Sequence, residues 1–255
     1  MNAIARRRLL TGLAAAPLGA ILADPRRAAA AAAAVEDTTI TTKGGQQTTG
    51  ALAPLPVAPA GTVLLIHEWW GLNDQIKTMT VEFAKEGYVA LAVDLYGGKV
   101  ATDAGSAEAL MKGVDAAAAT DVLVSWVDWL RGQESGNGKV GTVGWCFGGG
   151  WSLNASIATP VDATVIYYGR VDRPAAELAK LKGPVLGHFA TQDQWINKPM
   201  VDGFETAMKE AGRPFETYWY EANHAFANPS SGRYDEEDAK LSWSRTLAFF
   251  KAHLA

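Results

Sequence analysis

The run Val140-Gly141-Thr142-Val143-Gly144-Trp145-Cys146-Phe147-Gly148-Gly149 decides the architecture. A short apolar stretch leads into a glycine-flanked cysteine, and a second apolar stretch continues to Ile157. That order reads as a strand, a sharp turn and the start of a helix. Such a turn forces its central residue into strained backbone geometry, so its neighbours must be small to avoid clashes. The central side chain then projects from the end of the strand. Here it is Cys146, the one cysteine of the chain.

Working outward, apolar runs alternate with helical patterns. Residues 38–42 and 48–52 read as an edge hairpin, and 63–66 as a buried strand. Residues 76–85 form an amphipathic helix with Ile76, Met79, Thr80 and Phe83 on one face and Gly87 just past its end. A strand over 88–93 and helices over 107–111 and 116–130 follow. Beyond the cysteine come a helix over 147–157, a strand over 163–168 and a short helix over 175–181. A strand over 184–190, a helix over 199–211, the strand Phe215–Tyr220 and a terminal helix over 236–253 complete the chain. Strands separated by helices mean a mainly parallel sheet with helices on both faces. Residues 35–255 therefore read as one α/β domain, and its site is expected beyond the carboxyl ends of the strands.

The bulk properties narrow the possibilities. A chain of 255 residues less an export segment suits a single sizeable domain. The formal net charge is −4. Residues 1–34 hold Arg6, Arg7, Arg8, Arg26 and Arg27 against Asp24 alone, so the remainder is more acidic still. An acidic surface without basic clusters argues against nucleic acid and anionic membranes as partners. Paired arginines before a mildly apolar segment resemble a twin-arginine export signal over residues 1–34, with Ala-x-Ala cleavage sites in 28–34. The expected location is periplasmic. No cysteine follows the apolar segment, so no lipoprotein anchor is expected, and a lone cysteine cannot form an intramolecular disulfide. The expected assembly is a monomer.

A nucleophile at this turn needs a base and a group to orient the base, in the chain order nucleophile, acid, histidine. Asp193 follows the strand over 184–190, and His224 follows the strand Phe215–Tyr220. The expected triad is Cys146, Asp193 and His224: imidazole takes the thiol proton, and the carboxylate holds the other ring nitrogen. The amides of Phe147 and Trp69 are the expected oxyanion donors. Glu68 also follows an early strand and should line the site. It could hydrogen-bond the resting thiol and keep it protonated until substrate binds, or it could satisfy loop amides or pair with a neighbouring base. Trp70, Trp145 and Trp195 sit close in sequence to these residues and are candidates, with Asn228, for the substrate pocket.

Three segments, His67-Glu68-Trp69-Trp70-Gly71, Gly144-Trp145-Cys146-Phe147-Gly148-Gly149 and His224-Ala225-Phe226, resemble the dienelactone hydrolase family, and Val93-Asp94-Leu95-Tyr96-Gly97-Gly98 resembles its second-strand segment. The resemblance spans roughly residues 45–255. It implies an α/β-hydrolase fold without a cap domain, no cofactor and no metal. It also implies a Cys-His-Asp triad that cleaves enol-lactones, and a glutamate that holds and helps activate the thiol. Those roles fall on Cys146, His224, Asp193 and Glu68. The best-known members hold the substrate carboxylate with two arginines, one of them four positions after the catalytic histidine. That position here is Asn228, and between residues 101 and 120 the one cation is Lys112. The resemblance therefore carries the reaction class, a small lactone or activated ester as substrate, and leaves its identity open.

Competing readings are weaker. Cys146 could be a small buried hydrophobe, and Asp193 a helix cap. Asp94 precedes the nucleophile, against the expected order. His188 lies within an apolar strand and reads as a core histidine, and His253 as a solvated one. Gly71 stands where a zinc-binding helix would need a second histidine. A different class of function, a redox-responsive binder using its lone thiol, is the alternative to hydrolysis.

Overall fold

The computed structural model describes residues 24–255 apart from Val57. Residues 1–23, which carry the paired arginines of the expected export segment, lie outside the described residues. The strands are β1 (Glu36–Thr41), β2 (Gln47–Leu52), β3 (Ala60–Ile66), β4 (Val89–Val93), β5 (Gly136–Trp145), β6 (Ala163–Tyr167), β7 (Val185–Ala190) and β8 (Phe215–Tyr220). The helices are α1 (Pro25–Ala32), α2 (Asp74–Lys85), α3 (Ala104–Lys112), α4 (Ala116–Arg131), α5 (Phe147–Ala158), α6 (Ala175–Leu178), α7 (Lys198–Glu210) and α8 (Glu236–Leu254).

The strands form one sheet in the order β1-β2-β4-β3-β5-β6-β7-β8. β1 pairs antiparallel with β2, and β2 with β4; every other pair is parallel. This is the mainly parallel α/β-hydrolase architecture that the alternation of elements implied. From β3 the chain steps outward to β4, then returns to lay β5 on the opposite side of β3, with Leu64 against Thr142 and Ile66 against Gly144. The loops after β3 and β5 therefore diverge at a switch point, where a crevice opens beyond the strand ends.

Both faces of the sheet are buried, which is why the central strands are continuous apolar runs. Val63 and Leu65 pack with Ile76, Met79 and Phe83 of α2 and Phe250 and Leu254 of α8. Leu64 and Ile66 point the other way, onto Leu123, Trp126 and Val127 of α4. Ile166 and Phe189 pack on Val201, Phe204 and Met208 of α7. The period of two along each strand distributes these residues between the layers.

Two elements depart from the sequence expectations. β5 begins four residues before the expected strand, because pairing with β3 draws Gly136 into register with Ala60. The alanine tract expected to offer cleavage sites is in large part the helix α1. Asp24 caps it, Pro25 starts it, Ala28 and Ala32 are buried, and the Thr78 hydroxyl of α2 donates to the Ala28 carbonyl at 3.0 Å. Alanine is the strongest helix former, and its small side chain lets the two helices approach closely. Among the described residues, no helix is long and apolar enough to cross a membrane.

Candidate active site

Cys146 stands between β5 and α5 with φ 53° and ψ −117°. A residue with a side chain pays for that conformation in strain, and such strain persists only where the surroundings over-determine it. Here they do. The Cys146 amide donates to the Tyr167 carbonyl at 3.0 Å, and its carbonyl accepts from Gly149 at 3.0 Å. Glycine is required on both sides. A Cβ on Gly144 would run into the Gly148 backbone, and one on Gly148 into the carbonyls of Ile66 and His67. The thiol is left half-buried at the base of the crevice. Phe147 is the first residue of α5, so its amide has no partner within the helix and is available to an oxyanion.

His224 reaches this place from the loop after β8. Its Nδ1 lies 2.6 Å from Asp193 Oδ2. The other Asp193 oxygen accepts from the amides of Trp195 at 2.8 Å and Ile196 at 3.0 Å. Burial alone would raise the Asp193 pKa; the hydrogen bond and charge of His224, with those two amides, outweigh it and hold the carboxyl below its usual range. For His224, burial pulls toward the neutral ring. The hydrogen bond to Asp193 and the influence of the neighbouring Cys146 and Asp193 groups prevail, and its pKa is pushed up to about 10. Asp193 is thus a ring-orienting acceptor. The cap of α7 is Asn197 instead.

Glu68 is buried at the end of β3 and does not stand alone. Tyr168 donates to its Oε1 at 3.3 Å, and Asn228 Nδ2 donates to its Oε2 at 2.6 Å. The amide orientation of Asn228 is fixed, because its Oδ1 accepts from the Ser230 amide at 2.9 Å. Burial raises the Glu68 pKa, opposed by Asn228, by the charge of His224 and by Tyr168. Its neighbour His67 is a neutral strut. Nδ1 must donate to the Glu68 carbonyl at 2.6 Å and Nε2 must accept the Leu95 amide at 3.1 Å, which ties the loops after β3 and β4 together.

The expected pocket residues separate. Trp195 is 60% exposed and stands edge-on to the His224 ring at 5.2 Å, with the Arg233 guanidinium 5.2 Å above its own ring. Trp69 and Trp70 are half-buried and pack edge to face on the loop that carries the second expected oxyanion donor. Trp145 is not a pocket residue. It is buried and stacks on Tyr167 at 5.4 Å, because the strand pleat turns it to the face covered by α2 and α8. Asn228 is also buried, and its amide is committed to Glu68. Sequence reasoning missed Tyr168, whose ring lies 5.0 Å from that of His224. It reads as the last apolar residue of a strand, and no local signal marks it.

Residues 49–254 match the model of the dienelactone hydrolase family. A carboxymethylenebutenolidase of Pseudomonas putida is 30% identical over 79% of this chain and 90% of its own length. The protein usf of Aquifex pyrophilus is 32% identical over 75% of this chain and 88% of its own. Among solved structures, a dienelactone hydrolase-like promiscuous phosphotriesterase from metagenomic libraries superposes with a TM-score of 0.76. It is 22% identical and covers 87% of this chain and all of its own, a likeness of fold.

Proposed function

The chain belongs to the dienelactone hydrolase family, and from that premise we propose that it is a thiol hydrolase of lactones and activated esters, with Cys146 as nucleophile. The observation that carries this reading is the His224 ring, held by Asp193 at 2.6 Å, together with Cys146 in its strained turn between β5 and α5. In the proposed reaction Cys146 Sγ attacks the carbonyl carbon after its proton has passed to His224 Nε2, in keeping with the raised proton affinity of that ring. The amides of Phe147 and Trp69 hold the resulting oxyanion. Collapse expels the enolate or aryl oxide, which takes the proton from His224, and leaves a thioester on Cys146. Water, deprotonated by the same imidazole, then releases the carboxylic acid and restores the thiol. Thiolate leaves a tetrahedral intermediate more readily than an alkoxide does. Enol and aryl esters, whose leaving groups are stabilised anions, are therefore the favoured substrates.

The test is hydrolysis of aryl esters and enol-lactones by wild type and by Cys146→Ala. The variant is expected to lose about 10⁴-fold or more in kcat. Equal rates would defeat the reading. A redox-responsive binder would instead show reversible oxidation of the thiol and no turnover in either form.

The arginine-led segment supports export by the twin-arginine route to the periplasm. Sequencing the N-terminus of the exported protein tests this. It also reports whether α1 is retained, because cleavage after Ala32 would strip it from α2 and expose the Thr78 hydroxyl.

A further inference from the structure

Tyr168 is the other strained residue at the crevice. It follows β6 with φ 36°, a left-handed conformation for a bulky side chain. Its amide donates to the His188 carbonyl at 2.8 Å. The next residue, Gly169, passes so close to the first turn of α5 that a Cβ there would meet the Gly149 backbone. The chain is thus turned back against the helix that follows Cys146, and the turn points the Tyr168 ring across the crevice floor. The ring is fully buried between His224 at 5.0 Å and Phe226 at 5.4 Å. Its hydroxyl finds one acceptor, Glu68 Oε1. A phenylalanine would fill the same space, so neither packing nor backbone geometry explains the hydroxyl.

Glu68 meets donors from two directions, the Tyr168 phenol on Oε1 and the Asn228 amide on Oε2. Both are neutral; the Asn228 amide can only donate here, since its oxygen is occupied by Ser230, and the Tyr168 phenol donates to Oε1. Two donors favour the carboxylate over the carboxylic acid. The ionisable groups that face this cluster are His224 from the loop after β8, Cys146 from the turn after β5 and Tyr167 beside Tyr168 on β6. His224 is the cationic one when it holds the thiol proton.

We propose that Tyr168 is a positioning residue whose phenol, together with Asn228, fixes Glu68 as a carboxylate beside His224. Glu68 in this arrangement is an anion facing the site imidazole. It stabilises the imidazolium that forms when Cys146 ionises, from a direction different from that of Asp193. This rests on the proposed thiol mechanism and adds to it a second, tunable anion.

The experiment is the pH dependence of kcat/KM for an aryl ester in Tyr168→Phe, with thermal unfolding measured alongside. Losing the phenol lets Glu68 keep its proton to higher pH. The acidic limb is expected to move upward by about one pH unit, with about a tenfold loss on that limb and convergence with wild type above it. In a Glu68→Gln background the same substitution should produce no limb shift, because the group it acts on no longer titrates. A profile that superimposes on wild type, a loss uniform in pH, or an equal loss in Glu68→Gln would overturn the proposal. If Tyr168→Phe folds poorly, Asn228→Ala removes the other donor, and an unmoved limb there overturns the arrangement as a whole. Failure of the underlying mechanism is distinguishable, since Cys146→Ala would then retain turnover. An inactive Cys146→Ala with an unmoved Tyr168→Phe profile defeats this inference alone.

Discussion

Two histidines, the buried His188 and the half-buried His224, lie at opposite ends of the proton-affinity range in the same domain. His188 sits inside β7, fully buried, with Nδ1 2.8 Å from the Tyr220 hydroxyl and Nε2 3.0 Å from the Thr246 hydroxyl. Burial, reinforced by the positive charge of Arg245, drives its pKa down to about 3. His224 is less buried, its side chain 12% exposed, and its pKa is pushed up to about 10. Burial acts in the same direction on both. The partners decide the sign: hydroxyls and a nearby guanidinium for His188, a carboxylate and a thiol for His224. The first histidine fastens α8 to the sheet, and the second is equipped to hold a proton.

The most severe way to break this contrast is Asp193→Asn. It keeps the shape of the partner and removes the charge, leaving His224 in surroundings closer to those of His188. The amide also presents a donor to Nδ1, favouring the wrong tautomer. The corresponding exchange in a serine protease triad costs about 10⁴-fold in kcat, and a loss of that order is expected here. NMR titration of the ring should show its proton affinity falling to or below the ordinary imidazole value. A ring that still titrates near 10 in this variant would mean that Asp193 is not the source of its basicity.

Much of this arrangement was legible in the chain. The order of strands and helices, the glycines around Cys146 and the positions of Asp193 and His224 just past strand ends all follow from local pattern. What was not legible depends on contacts between distant segments. Trp145 lies next to Cys146 in sequence, but it is buried and stacked on Tyr167. Asn228 could be located, but not its partner Glu68, 160 residues away. Tyr168 and Ala225 have positive φ without glycine's freedom, as does Cys146. All three lie at the crevice, and only the cysteine was marked by flanking glycines. For Tyr168 the cause is the close passage of Gly169 against Gly149, which no run of residues announces. The alanine tract at 28–34 has no hydrophobic periodicity to distinguish a docked helix from a cleavage site.

The pair of histidines also makes a prediction about stability across pH, weaker in size than the loss of activity. The His188 pKa is lowered on folding, so between about 3 and the ordinary value of 6.5 the unfolded chain binds the extra proton, and stability rises with pH. His224 is raised, so its contribution is fully present below 6.5 and is lost as pH climbs through about 10. The two slopes have opposite sign and meet near neutrality. In thermal unfolding, His188→Leu should flatten the acidic slope while leaving the alkaline one. It should also cost about 1–3 kcal/mol at pH 7, because the Tyr220 and Thr246 hydroxyls each lose one of their buried partners. His224→Phe should do the reverse. An alkaline slope that survives His224→Phe would place its origin elsewhere.

The mildest variant asks whether the two clusters are independent. Tyr220 stands between them: its hydroxyl meets Arg245 at 3.0 Å and His188 at 2.8 Å, while its ring packs on Phe226 at 4.7 Å, two residues after His224. Tyr220→Phe removes the hydroxyl and keeps the ring. Arg245 retains its stacking over Tyr218 at 3.9 Å, and His188 retains its contact with Thr246. Stability should fall by about 1 kcal/mol, the net worth of one hydrogen bond in a buried network. Because Phe226 still has its neighbour, the position of His224 should not change, and kcat should stay within about twofold of wild type. A tenfold fall in kcat with little loss of stability would show that the hydroxyl network under β7 and β8 helps to place the site imidazole. The two histidines would then be parts of one coupled device, and the separation of structural from chemical roles drawn from them would fail.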